Sequence, residues 1–180
     1  MKIIVISDTH LQSEIIPSNL VDLFEQYDMI VHAGDFDSFP FLKALQATGK
    51  LKAVHGNTDG PEIKEALPDK IRFDVEGIRI GVVHQPSLSI IDNTASRYMA
   101  MEMEVDVLIF GHLHRPLIEK SDVILICPGS PTKPRMSDPS AVEMVIDNGA
   151  ISVDIIPVAG QSCGYIEFSR KLGEDYDKDN

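Results

Sequence analysis

Five times along this chain an apolar run of strand length stops at a short polar cluster: Asp8-Thr9-His10, Gly34-Asp35, Gly56-Asn57, His84 and Gly111-His112-Leu113-His114. Such runs, rich in β-branched residues and too short for a helix, read as buried strands. Aspartate and histidine fill cores poorly, so two Asp, one Asn and four His in these clusters call for a role other than packing. A fold is needed in which several strand ends are gathered at one rim.

The intervals between the clusters supply that fold. Residues 2–7 and 29–33 read as strands, and a helix between them opens at Ser18, the expected N-cap, with Leu20, Val21, Leu23 and Phe24 at helical spacing. Ser38 and Pro40 start a second helix with Phe41, Leu42 and Leu45 on its apolar face, and Gly49 is placed to be its C′ residue. Residues 51–55 form a third strand. Strand, helix and strand in alternation predict parallel pairing through right-handed crossovers. The second half changes character. Residues 70–75 and 78–84 flank the turn Glu76-Gly77, a helix over 93–103 precedes a strand over 105–110, and strands follow over 115–120, 123–127, 142–147 and 151–157. Asn148-Gly149 is a hairpin signal between the last two, and residues 128–140, with four prolines and a glycine, form a loop.

With 180 residues, 43% of them hydrophobic, the chain fits one domain, expected over 1–158, and 159–180 is a C-terminal extension with a frayed, charged end. Tyr165-Ile166-Glu167-Phe168 in that extension suits self-association, and the oligomeric state stays open. The balance of 16 basic against 28 acidic residues, net −12, disfavours long nucleic acid as a partner. No apolar stretch is long enough for a bilayer, so a membrane partner is not expected. The first apolar run ends at Asp8 with no small-residue cleavage pattern after it, which makes a cytoplasmic location the default. Cys127 and Cys163 lack a Cys-x-x-Cys spacing and read as reduced, mostly buried thiols.

In an open α/β sheet the ligand crevice lies beyond the carboxyl ends of the strands, where these clusters fall. Imidazole and carboxylate suit Mn, Fe, Zn or Ni, and four histidines argue for a transition metal. A carboxylate can bridge two cations roughly 3.5 to 4 Å apart, and water shared between them becomes a nucleophile near neutral pH. The glycines before Asp35, Asn57 and His112 read as backbone turning with positive φ.

Taken in order, Asp-x-His, Gly-Asp, Gly-Asn, His and Gly-His-x-His resemble the calcineurin-like metallophosphoesterase superfamily. The chain's shortness, Gly56-Asn57-Thr58-Asp59 and Pro128-Gly129-Ser130 make it similar to the small bacterial and archaeal phosphodiesterases within it. The resemblance implies an α/β (α+β) fold, a four-layer αββα sandwich of two mixed sheets. It implies hydrolysis of a small-molecule phosphodiester by a hydroxide bridging two divalent metal ions, Mn expected and Fe, Zn or Ni as alternatives. Asp8, His10 and His114 would hold one ion, Asn57, His84 and His112 the other, with Asp35 bridging. Asp35, Asn57, His112 and Asp59 are the expected catalytic residues. A phosphomonoesterase on the same site is one alternative. A non-catalytic protein-binding scaffold, the use a retromer subunit makes of this fold, is another.

Two departures bear on mechanism. Thr58 stands where many relatives have a histidine that protonates the leaving oxygen, so the general acid is unassigned, with a metal-bound water or a group near Asp59 in contention. His84-Gln85-Pro86 replaces a frequent His-Gly-His, which affects substrate contacts there. Asp59 has a turn-stabilising role as its equal alternative. For His32 and His55, a partly buried, hydrogen-bonded histidine is preferred over a substrate role. Lys133 and Arg135 suit phosphate neutralisation, with solvated surface charge as the preferred reading. Met99, Met101 and Met103 read as core or interface filler, and Asp37 as a turn residue. The site walls are expected from loops 84–92 and 128–140, which leave the substrate open.

Overall fold

Strand β1 (Lys2–Ile6) is apolar on both faces and both are used. Ile3 and Val5 point into a core shared with a second sheet, while Ile4 and Ile6 pack beneath helices, the alternation that a period of two imposes. The computed structural model describes residues 1–86 and 92–178. In the first sheet β1 pairs in parallel with β2 (Met29–His32), which pairs in parallel with β3 (Leu51–Ala53). On its other side β1 meets β9 (Ser140–Asp147), followed by β10 (Ala150–Pro157), both antiparallel. The second sheet runs β4 (Lys70–Val75), β5 (Ile78–Val83), β6 (Val107–Phe110), β8 (Ile124–Pro128) and β7 (Pro116–Lys120) in spatial order. Its edge pairs are antiparallel and its central pairs parallel.

Helices α1 (Ser18–Glu25), α2 (Phe39–Gln46) and α3 (Pro61–Ala66) cover the first sheet with Leu20, Phe24, Phe41, Leu42, Leu45 and Ile63. Helix α4 (Thr94–Glu102) places Ala100 against Leu108, Phe110 and Leu125 of the second. Between the sheets lie Ile3, Val5, Val31, Ile80, Val107, Ile109 and Met144, all fully buried. Each such side chain contributes about 1.5 to 3 kcal/mol by leaving water. The result is the four-layer αββα sandwich of two mixed sheets that the resemblance implied.

Both expected hairpins turn where both central residues have positive φ, Glu76 and Gly77 at 50° and 84°, and Asn148 and Gly149 at 49° and 82°. That matches the twist of paired strands. Other details differ from expectation. Ser18 is the first residue of α1 and Pro17 stands at its N-cap, whereas the Ser38 hydroxyl does cap α2, accepting from the Phe41 N–H. Gly49 has φ of 70° but lies two residues beyond the α2 cap, Ala47. Helix α3 was not foreseen, because six residues are too few to show a helical period. Nor was α5 (Gly164–Lys178), which occupies most of the C-terminal extension and leaves Tyr165 and Phe168 exposed. Cys127 is buried, Cys163 only half-buried, and both are free. Met99 and Met103 pack on the second sheet's core, while Met101 is exposed. Of the expected wall loop 84–92, residues 87–91 lie outside the described residues, as do 179–180. Among the described residues no helix is long and apolar enough to cross a membrane.

Candidate metal centre

Strands β1, β2 and β3 run parallel to one another, as do β5 and β6, so their five carboxyl ends bring all seven predicted ligand residues together where the two sheets meet. The Nε2 atoms of His10 and His114 lie 3.3 Å apart, with Asp8 Oδ1 3.3 Å from that of His114. Each ring's Nδ1–H is already engaged, His10 with Asp37 Oδ2 at 2.9 Å and His114 with the Lys133 carbonyl at 2.6 Å. In a neutral ring this leaves the Nε2 lone pair facing inward. Two lone pairs and a carboxylate oxygen converging on one point repel each other unless a cation lies between them. The donor set therefore fits a metal ion.

On the other side, Asn57 Oδ1 lies 2.9 Å from His84 Nε2 and 3.0 Å from His112 Nδ1. His84 Nδ1–H donates to the Ala33 carbonyl at 2.7 Å, across the junction of the sheets. Asp35 stands between the two sides, its Oδ2 3.7 Å from His10 Nε2 and 3.3 Å from His84 Nε2. Two groups of donor atoms lie mutually within 4.8 Å: Asp8 with His10 and His114, and Asp8 with Asp35 and His84. Asp8 thus belongs to both compact groups, whereas the resemblance gave the bridge to Asp35 alone. His112 joins the second side through Asn57.

Burial lifts the Asp8 carboxyl to about 6, against opposing pulls from His84 and Ser7. Burial would also raise Asp35, but the hydrogen bond and charge of His84, with bonds from Thr58, hold it well below the usual carboxylate range. His84 is held above the usual imidazole value, because Asp35 and Asp8 outweigh its desolvation. Burial pushes His114 down to about 4.

The backbone is bent at the candidate ligands themselves: Asp8, His10, Asp35, His112 and His114 all have positive φ, between 45° and 72°. Asp and His visit this region more readily than most residues, yet such clustering is typical of functional sites. Of the three glycines expected to turn, only Gly34 has positive φ, 92°. Gly56 and Gly111 are needed for space instead. A Cβ on Gly56 would lie 2.0 Å from Asp35 Oδ1, and one on Gly111 2.8 Å from the Ala33 carbonyl oxygen.

Two neighbours, Asp59 and Asp37, correct the sequence reading, and His32 and His55 agree with it. Asp59, expected among the catalytic residues, is 3% exposed, and its two oxygens accept from the N–H groups of Asp35, Phe36, Asp37 and Gly56 at 2.7 to 3.1 Å. Committed to four main-chain donors, it joins the turns after β2 and β3 and is not placed to exchange a proton with a substrate. Asp37 is more than a turn residue, since it orients His10 and accepts from the Thr58 hydroxyl at 2.6 Å. Its position two residues after Asp35 was the only signal available. His32 is fully buried and neutral: Gly34 N–H donates to its Nδ1, leaving Nε2–H to donate to Thr9 Oγ1, and its ring stacks on Phe36. His55 is half-buried and donates weakly to the Gly56 carbonyl, 3.3 Å away.

Two cavities flank the ligands. One, of 500 Å³, is lined by His10, His114, Lys133 and Arg135; the other, of 380 Å³, by Asn57, His84, His55, Lys64, Val83 and Met99.

Residues 1–149 match the model of the calcineurin-like phosphoesterase superfamily domain. A probable metallophosphoesterase of Methanothermobacter thermautotrophicus is 37% identical over 173 residues, covering 94% of this chain and 100% of that protein. A phosphodiesterase of Methanocaldococcus jannaschii is 27% identical over 147 residues, covering 72% of this chain and 83% of its own length. The crystal structure of a predicted phosphoesterase from Streptococcus pneumoniae superposes with a TM-score of 0.71 at 24% identity, over 87% of this chain and 88% of that one. The sandwich, the ordered motifs and a family match over most of the length agree: the chain belongs to the calcineurin-like phosphoesterase superfamily.

Proposed function

We propose that this protein is a phosphodiesterase dependent on two divalent metal ions, Mn being the expected pair. The observation that carries the reading is the position of the Asp35 carboxylate between two convergent donor sets, 3.7 Å from His10 Nε2 and 3.3 Å from His84 Nε2. Asp8, His10 and His114 would hold one ion and Asn57, His84 and His112 the other, with Asp35 shared and Asp8 close enough to take part in both. When bound, the ions would supply a hydroxide nucleophile near neutral pH and neutralise charge on the phosphoryl oxygens.

The chain's own residues prepare this site. Asp37, the Ala33 carbonyl and the Lys133 carbonyl fix ring tautomers so that the inward Nε2 atoms of His10, His84 and His114 keep their lone pairs. Asn57 is exposed and His112 half-buried, so a substrate phosphate enters on their side. The cavities on opposite flanks give each ester arm of a diester a place, where a monoester would need one. The similarity to a named phosphodiesterase supports the same choice.

The test is to measure Mn-supported hydrolysis of bis(4-nitrophenyl) phosphate and 4-nitrophenyl phosphate on one preparation, with Asp35→Asn and His112→Ala beside the wild type. The diester should be cleaved faster and both variants should lose that activity. Faster cleavage of the monoester would make the protein a phosphomonoesterase. Undiminished variants would overturn the site, and no hydrolysis with less than one metal per chain would favour a binding scaffold.

A further inference from the structure

The loop between β8 and β9 has no regular structure, yet it is tied to the metal centre at many points. Ser130 Oγ donates to the Asp8 carbonyl at 2.7 Å and accepts from the N–H groups of Lys133 and Thr132 at 2.7 and 3.3 Å. The Thr132 hydroxyl donates to the Thr9 carbonyl. The Arg135 N–H and the Ser137 hydroxyl both donate to the His114 carbonyl, at 3.0 and 3.3 Å. This bracing presents Lys133 and Arg135 at fixed main-chain positions around the 500 Å³ cavity shared with His10, His114 and Asp37, whose carboxylate is taken up by His10 Nδ1–H and the Thr58 hydroxyl.

The charge pattern there is unusual. Arg72, Arg79, Arg97 and Arg170 each pair with a carboxylate. Among the described residues, neither Arg135 nor Lys133 is in an ion pair, although the chain carries a net charge of −12. Arg135 lines the same cavity as His10 and His114, on the ligand side of the loop. The opposite cavity also holds lysines, but Lys64 Nζ donates to the Asn57 carbonyl and Lys70 pairs with Glu102, while Val83 and Met99 add apolar wall. Cations held beside a metal centre and left without acidic partners attract an anion, and a guanidinium fork suits phosphate oxygens in particular.

Resting on the phosphodiesterase reading, we propose that Lys133 and Arg135 form a subsite for a second anionic group of the substrate, distinct from the phosphate that is cleaved. The favoured substrates are then diesters in which one arm continues into a further phosphate or a comparable anion, as in diphosphate-linked nucleosides. The other arm, partly apolar, occupies the Val83 and Met99 side.

The experiment compares ligands with one and two phosphates. Binding of AMP and ADP to the Mn-loaded protein is measured by calorimetry in excess Mn. The kcat/KM values for bis(4-nitrophenyl) phosphate and ADP-ribose are measured alongside, for wild type, Lys133→Gln, Arg135→Gln and Arg135→Lys. The wild type should bind ADP at least about tenfold more tightly than AMP, the size of one charge-assisted hydrogen bond. Either Gln substitution should bring that ratio near one and raise KM for ADP-ribose more than for the aryl diester, and Arg135→Lys should restore part of it. Unchanged melting temperatures should accompany these shifts, because both side chains are exposed.

Equal affinity of the wild type for AMP and ADP would overturn the subsite. So would an equal loss on both substrates, which would place Arg135 at the cleaved phosphate. Failure of the underlying reading looks different: neither diester is hydrolysed while the ADP preference and its loss in the variants persist.

Discussion

Around Asp35, the side formed by Asp8, His10 and His114 is the more buried and is braced from outside, whereas the side formed by Asn57, His84 and His112 is more open to solvent and leans largely on itself. Asp8 is fully buried and His114 is 3% exposed. His10 and His114 are oriented by Asp37 and the Lys133 carbonyl, neither of them a ligand. On the other side only His84 has such an external acceptor, the Ala33 carbonyl, while Asn57 and His112 meet each other. External bracing lowers the reorganisation needed when an ion binds, so the first side should hold its metal tightly and the second should exchange it. A site with one retained and one exchangeable ion keeps its shape while still admitting substrate.

The change that should break both sides at once is Asp35→Asn. Removing the shared carboxylate forfeits several kcal/mol of transition-state stabilisation, a fall in kcat/KM of roughly a thousandfold on a diester substrate. Retention of more than a tenth of the activity would mean that the two sides do not act together. Next is Asp59→Ala, which strands four N–H donors in the turns carrying Asp35 and Gly56. Urea denaturation should report a loss of about 3 to 5 kcal/mol, since each orphaned buried donor costs about 1 to 3 and water reaches some of them. A loss under 1 kcal/mol would show the turns to be independent.

The effect of pH on the first side is comparable or smaller. With its carboxyl lifted from 3.8 to about 6, Asp8 binds its proton more tightly folded than unfolded. Its contribution to metal-free stability therefore declines as pH rises through that window, by roughly 3 kcal/mol in all, and remains lost at neutral pH. A bound cation reverses the preference by favouring the carboxylate. Thermal melts should thus show a Mn-induced rise in Tm that is larger at pH 7.5 than at pH 5. Asp8→Asn should raise the Tm of the metal-free protein at pH 7.5 and blunt the response to Mn. An unchanged metal-free Tm would contradict the burial cost assigned to Asp8.

The smallest change sharpens the asymmetry itself. Asp37→Asn removes the acceptor that orients His10, and should weaken one of two bound ions about 10- to 100-fold, leaving the other near its wild-type affinity. Titration of metal-free protein with Mn, followed by calorimetry, resolves the two. Equal weakening of both would dissolve the distinction between the sides.

What could be read in the sequence and what could not divides along the same physical line. The seven candidate ligand positions were legible because each is a local event, a polar residue terminating an apolar strand, and their order along the chain did the rest. The roles of Asp37 and Asp59 were not, because they depend on which donors a carboxylate meets more than 20 residues away. Gly56 misled for a related reason: its chain neighbours suggest a turn, but what excludes a side chain is the Asp35 carboxylate of the adjacent strand end. Parallel pairing in the first half was accessible from alternating strands and helices and the layer order came with the resemblance, yet α3 was too short to announce itself. Lys133 and Arg135 are exposed, as solvated charge would be; what their neighbours in sequence do not show is that the bonds of Ser130 and Thr132 hold their loop beside the candidate ligands.

The left-handed conformation shared by Asp8, His10, Asp35, His112 and His114 restricts how this rim can drift under mutation. Most L-residues give up about 1 to 2 kcal/mol in that region, and Gly, Asn and Asp give up least. A descendant of this chain that no longer needed metal would still be filtered at those five positions by its backbone. Aspartates would decay first toward asparagine and glycine, and β-branched residues would be purged even with catalysis gone.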